Sequence, residues 1–174
     1  MTEWLPFSPE GERVRLRPPG YGDEPALIEM ATDPHVRSYI GGPIDPTVAA
    51  ANAMQKISAQ AWGQFVIVGR VSGEVVGSGS LARKRGPWEV SYQLRRAYWG
   101  HGLAGEAVEL IRVWFFENLD ENLLIATTQR ANDRSKRLLS RAGAVFAGTF
   151  EQYGLVQERF EFHRGGHPPL CPDA

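Results

Sequence analysis

Apolar and charged residues alternate over Val14-Arg15-Leu16-Arg17, the period of a half-buried strand, and Pro18-Pro19-Gly20 ends it. Asp23 is placed to cap a helix over Pro25–Ala31, because proline is tolerated in a first turn. That helix should stop before Pro34, which drives Asp33 away from helical angles. Gly41-Gly42-Pro43 marks a turn and Asp45-Pro46 a second start, so Val48 to Trp62, rich in Ala, Gln, Met and Lys, reads as helix. Phe65–Val68 and Val75–Leu81 flank Ser72-Gly73-Glu74 and predict an antiparallel hairpin. In Trp88–Leu94 the pattern alternates again, with Val90, Tyr92 and Leu94 on one side. Leu103, Ala104, Ala107, Val108, Leu110, Ile111, Trp114 and Phe115 then fall on helical spacing and form a buried stripe. Leu123–Thr128 is a short apolar strand. Asn132 caps a further helix whose apolar face is Leu138 and Leu139, with Gly143 at its C-terminal cap. Phe146–Phe150 and Arg159–His163 complete a closing strand pair.

This order argues an α/β (α+β) domain: a mixed, mostly antiparallel sheet of about seven strands flanked by about four helices. The long helix between Trp88–Leu94 and Leu123–Thr128 is a crossover, so those two strands should be parallel. A chain of 174 residues is most simply one domain, here residues 1–164 with a Gly- and Pro-rich tail at 165–174.

Composition narrows the function classes. A formal net charge of −1 supplies no field that favours nucleic acid or an anionic membrane. Met1–Pro6 has no basic region followed by a long apolar run, and no stretch reaches the ~20 apolar residues that span a bilayer. A cytoplasmic location is expected. Cys171 is the single cysteine and sits in the tail, so disulfides, thiolate zinc sites and a catalytic thiol are not expected. The four histidines are too scattered to suggest a metal.

The informative stretch is Tyr92-Gln93-Leu94-Arg95-Arg96-Ala97-Tyr98-Trp99-Gly100-His101-Gly102-Leu103-Ala104-Gly105, where a strand ends and small residues open a long helix. Glycines there let backbone N–H groups approach an anion, and the helix N-terminus adds roughly half a positive charge. A phosphorylated group should dock here. Gly100, Gly102 and Gly105 also fit the dinucleotide fingerprint G-x-G-x-x-G. That reading requires an acidic residue about 20 positions on, where the chain instead runs into Thr127-Thr128-Gln129-Arg130. A third reading has the glycines only permitting tight helix packing.

At these residues the chain resembles the GNAT N-acetyltransferase superfamily, in the branch of ribosomal-protein N-terminal acetyltransferases. Its pyrophosphate motif, Gln/Arg-x-x-Gly-x-Gly/Ala, falls on Trp99-Gly100-His101-Gly102-Leu103-Ala104, with Trp99 departing from the usual first residue. Asn132-Asp133-Arg134-Ser135-Lys136-Arg137-Leu138-Leu139 followed by Gly143 is similar to the family's Asn-x-x-Ser helix. Thr32-Asp33-Pro34-His35-Val36 and Gly41-Gly42 resemble the branch's N-terminal helices, so the likeness runs from about Arg13 to Arg164.

The resemblance implies acetyl-CoA as co-substrate, no metal, an amine acceptor and a homodimer. Tyr92, Gln93 and Leu94 would pair through their backbone with pantetheine at a splayed strand edge. The amides of Gly100, His101, Gly102, Leu103, Ala104 and Gly105, after Trp99, would hold the pyrophosphate. Asn132 would touch the pantetheine arm and Ser135 would also contact the cofactor. Arg95, Arg96, Arg134, Lys136 and Arg137 stand near enough in sequence to meet the nucleotide phosphates, each equally readable as a charge on a solvated face. Acetyl transfer needs an oxyanion donor, a base for the amine and a proton for the departing thiolate. The implied donor is the Leu94 N–H, and the implied base is Glu89, equally readable as a strand-end charge. The family's usual acid, a tyrosine seven residues after the Asn, is replaced by Leu139, so Ser135 is the substitute, at least as readily a cap-region hydroxyl bonding backbone, with Tyr92 and Tyr153 as outside candidates. Glu158 falls where the branch often carries a carboxylate near the acceptor, although a surface strand charge is the reading preferred for it. Direct transfer in a ternary complex is expected, with a non-catalytic CoA-binding sensor of the same fold as the alternative. Specificity would sit in the two N-terminal helices and the closing strands, which carry no readable motif.

Overall fold

The computed structural model describes residues 7–83 and 86–166. Cys171 and positions 167–174 of the expected tail therefore lie outside the described residues. The elements are β1 (Val14–Arg17), α1 (Glu24–Thr32), α2 (Pro46–Ala59), β2 (Gln64–Gly69), β3 (Val75–Ala82), β4 (Trp88–Leu94), α3 (Leu103–Asn118), β5 (Leu123–Gln129), α4 (Asp133–Arg141), β6 (Val145–Gln152) and β7 (Leu155–His163). A single 3₁₀ turn, Arg96–Tyr98, leads from β4 toward α3.

The strands form one seven-stranded sheet in the order β1-β2-β3-β4-β5-β7-β6. Every pair is antiparallel except β4 with β5, as the α3 crossover requires. The continuous apolar run of β2 has its reason here: Phe65 and Ile67 join the core under α3, while Val66 and Val68 join a second core under α1 and α2. On the α3 face, Val14, Leu16, Leu81, Val90, Leu94, Leu124, Phe160 and Phe162 pack against Ala107, Val108, Ile111, Phe115 and Leu139. On the other face Ala26, Leu27, Met30, Ala53 and Ile57 cover Val66, Val68 and Val75.

Three local expectations need correction. Asp23 occupies the α1 N-cap but makes no capping bond. It is 4% exposed, and its carboxylate accepts two bonds from Arg17, at 2.7 and 2.8 Å, and one from the Gly20 amide. A charged guanidinium in reach outcompetes the helix amides for a buried carboxylate. The second helix starts and ends earlier than Val48–Trp62: Asp45 caps it by accepting from the Thr47 and Val48 amides, and Gln60, with φ 44°, turns the chain out of it. The closing strands are longer than expected, because Tyr153 and Gly154, both at positive φ, make a tight turn that brings Val145–Gln152 and Leu155–His163 into one hairpin.

Candidate active site

The sheet opens at its centre. β4 and β5 are in register only at Trp88↔Leu124 and Glu89↔Ile125, although β4 runs on to Leu94 and β5 to Gln129. Each strand stays paired with its outer neighbour along that stretch: Leu94 faces Gly77 of β3, and Gln129 faces Gln157 of β7. The gap thus lies between two intact half-sheets. It continues into a cleft of about 1760 Å³ whose walls are β4, the loop 99–102 with the first turn of α3, the α4 N-terminus, β5, the β6–β7 turn and the segment 35–41.

Main-chain polarity follows from the ladder. The Arg95 N–H donates to the Val76 carbonyl, so Arg95 faces β3 with its hydrogen-bonding groups. Antiparallel alternation then turns the N–H and C=O of Leu94 and Tyr92 away from β3, into the gap. The Leu94 carbonyl accordingly accepts from the Trp99 indole N–H at 3.1 Å. Trp99, the residue that departs from the motif, therefore ties the strand end to the glycine loop. The Arg134 guanidinium stacks 3.9 Å from the Trp99 ring and ties that loop in turn to α4.

Gly102 is the N-cap of α3 at φ 73°, a left-handed position, and supplies no side chain to cap the helix. The first intrahelical bond is Glu106 N–H to Gly102 O, so the amides of Leu103, Ala104 and Gly105 have no acceptor within the helix. Gly100 and Gly105 both line the cleft, and a Cβ built on either meets nothing within 4 Å. Arg134 and Arg137, at the start of α4, also line the cleft, while Arg112, paired to Glu109, and Arg141 line it further along α3 and α4. Unpaired amides, a positive helix end, open space and guanidinium groups fit a diphosphate.

Of the other residues expected here, Asn132 accepts the Ser135 amide at 3.2 Å and caps α4. The Ser135 hydroxyl is not spent on backbone; it shares a 2.9 Å hydrogen bond with the Tyr92 hydroxyl, which spans the cleft from β4 to α4. Burial pushes the Tyr92 phenol up to about 12, against the opposing pull of the Ser135 bond. Leu139 is fully buried in the α3 core and offers the cleft nothing. Glu89, at the last paired position before the strands part, accepts the Thr127 hydroxyl at 2.5 Å across the vertex. Gln93 lines the cleft with its Oε1 buried and without a hydrogen-bond partner among the described residues.

Several expected members stand elsewhere. Arg95 leaves β4 on the far side, where Glu29 Oε2 accepts from its Nε and Nη2 and the Val75 carbonyl from its Nη1. It belongs with α1, because a carboxylate 2.7 Å away holds it there. His101 is exposed and its side chain is not part of the cleft wall; its carbonyl accepts from Arg13. Arg96 is also off the wall, and Lys136 is paired to Asp133. Glu158 points to the α3 face of the sheet beside Arg130, whereas its neighbour Gln157 faces the cleft. The strand period of two makes that exchange inevitable once the register is known. Sequence reading missed Gln157, Thr127 and the segment His35–Gly41, whose roles in the wall arise from long-range pairing. A local signal existed only for Thr127, two positions past Ile125 on the strand face that Glu89 shares.

A strand edge held open beside an uncapped, glycine-bearing helix N-terminus, in a mixed seven-stranded sheet, defines the acyltransferase class of the GNAT fold. An acetyltransferase of the GNAT family from Bacillus anthracis superposes with a TM-score of 0.81 at 19% identity, over 90% of this chain and 98% of that one. A ribosomal-protein-S5-alanine acetyltransferase from Vibrio fischeri gives 0.72 at 19% identity, over 92% and 99%. In sequence, the uncharacterized N-acetyltransferase p20 of Bacillus licheniformis is 28% identical over 156 residues, 84% of each chain. Residues 13–145 match the family model of the acetyltransferase (GNAT) domain, and the chain belongs to that family of acetyltransferases.

Proposed function

We propose that the protein transfers an acetyl group from acetyl-CoA directly to a primary amine within a ternary complex. The observation that carries this reading is the main chain of Tyr92 and Leu94 turned into a gap that leads straight to the unpaired amides of α3. Pantetheine would pair with Tyr92 and Leu94 along the open edge. The diphosphate would lie on the amides of Gly102–Gly105, flanked by Arg134 and Arg137.

Within that frame each catalytic requirement has a residue. The Leu94 N–H donates to the oxyanion, a contribution worth on the order of 10²–10³ in rate. Glu89 stands five positions before Leu94 on β4, roughly 16 Å along an extended strand, so it takes the proton of the attacking amine through intervening water; its bond to Thr127 fixes the carboxylate at the vertex. The departing thiolate is met by the hydroxyls of Ser135 and Tyr92. A phenol raised to about 12 stays protonated at neutral pH, so it acts as a hydrogen-bond donor there. On the acceptor side Ser38, Tyr39, Gln129, Gln152, Tyr153 and Gln157 line the cleft with uncharged polar and aromatic groups.

Mass spectrometry of amine and peptide panels incubated with acetyl-CoA tests the activity, with acetylated product as the expected outcome. Glu89→Gln should lower kcat by about 10²–10⁴ and change its dependence on pH. An unchanged rate and profile would exclude Glu89 as the base.

A further inference from the structure

The phosphate-facing amides are aimed by a device on the opposite side of the helix start. Arg13, one residue before β1, donates from Nη1 to the His101 carbonyl at 2.6 Å and from Nη2 to the Gly102 carbonyl at 3.3 Å. In a trans peptide the C=O and the following N–H point in opposite directions. Carbonyls 101 and 102 drawn back toward β1 therefore turn the amides of Gly102 and Leu103 outward, and both residues line the cleft. Left alone, a loop with Gly100 at φ 81° and Gly102 at φ 73° has torsional freedom that would let those peptide planes rotate.

Arg13 is itself held. Its Nε donates to Glu106 Oε2 at 2.9 Å, while Glu106 Oε1 accepts the amides of Arg13 and Val14 at 2.7 and 3.1 Å. Burial pushes the Glu106 carboxyl up, but those amides and the guanidinium more than offset it and keep its pKa below the ordinary value. Gly11 gives the carboxylate its place: a Cβ there would collide with Glu106 Oε1. Arg13 also neutralises the one carboxylate in the first turn of α3, which would otherwise repel an anion at that helix end.

We infer that Arg13, clamped by Glu106 over Gly11, is a positioning residue that pre-orients the α3 amides for the diphosphate of the acyl donor. The inference rests on the acetyl-CoA reading above, and it concerns residues that never touch the ligand. Pre-orientation lowers the ordering cost of binding, so its loss should appear in affinity and not in the chemical step.

The test compares CoA with pantetheine, which lacks the diphosphate and nucleotide, by calorimetry and competition. Arg13→Ala should weaken CoA binding at least tenfold and leave pantetheine binding and kcat at saturating acetyl-CoA unchanged. Gly11→Ala, which removes no charge and only displaces Glu106, should shift CoA in the same direction by less. Arg13→Lys keeps the charge without the fork and should recover part of the loss. Equal weakening of both ligands, or no change in either, would overturn the inference while leaving the acetyltransferase reading intact. A wild-type protein that binds CoA no better than pantetheine would instead remove the reading on which it rests.

Discussion

On the proposed reading, single residues decide whether the cleft holds an anion and offers a hydrogen bond to the departing thiolate. Gly105 is the cleanest probe of the first, because it is helical, not strained, and open to the cleft. Gly105→Glu puts a carboxylate among the amides and should cost acetyl-CoA affinity at least 100-fold by calorimetry, with an unchanged melting temperature. For the second, the pair Tyr92–Ser135 makes a prediction on stability as well as rate. Tyr92 titrates near 10 when unfolded and is pushed up to about 12 in the fold. Folding therefore binds its proton more tightly, so the contribution is fully present below pH 10 and disappears as pH rises through 12. Wild type should lose on the order of 2 kcal/mol more than Tyr92→Phe across that window in denaturant titrations. The same variant should lower kcat with little effect on the KM for acetyl-CoA. Trp99 shows the limit of reading residues by type: it stands where the motif has Gln or Arg, yet its indole N–H still donates a hydrogen bond, to the Leu94 carbonyl.

At the scale of elements, nearly every helix and strand was legible, because each carries its own period and punctuation. β4 was readable from Trp88 to Leu94 by alternation alone, and Asp33 leaves the helix at ψ 118°, as a residue before proline should. What the pattern could not supply was competition between partners. Asp23 and Asp45 both read as caps, but one sits within reach of Arg17 and the other does not. Their replacements should differ accordingly. Asp45→Ala should cost about 1 kcal/mol, the ordinary worth of a cap. Asp23→Ala should cost about 2–4 kcal/mol by chemical denaturation, since it strands a half-buried guanidinium at the β1–α1 junction. Comparable losses would mean that the ion pair contributes little beyond capping. The β6–β7 hairpin was under-read for the opposite reason: Tyr153 at positive φ is unusual for a bulky side chain and gave no turn signal.

For the molecule as a whole, the site is a consequence of topology. A parallel pair in an otherwise antiparallel sheet comes from the α3 crossover, and the two half-sheets part beyond Glu89↔Ile125. The glycine loop and the strand that runs into it were legible in the sequence, since both are contiguous stretches with local signatures. It could not show Arg95 captured by Glu29, Glu158 turned to the core face, or Arg13 reaching the loop from β1, because those depend on distant pairings. The far wall of the cleft, from His35–Gly41 to Gln157, was equally hidden.

Residue-resolved hydrogen exchange with and without acetyl-CoA reaches the main-chain claim most directly. The amides of Tyr92, Leu94 and Gly102–Gly105 should slow on binding, while those of Gln93 and Arg95, already facing β3, should not change. Protection confined to the α1 side around Glu29 and Arg95, or none at all, would contradict the account.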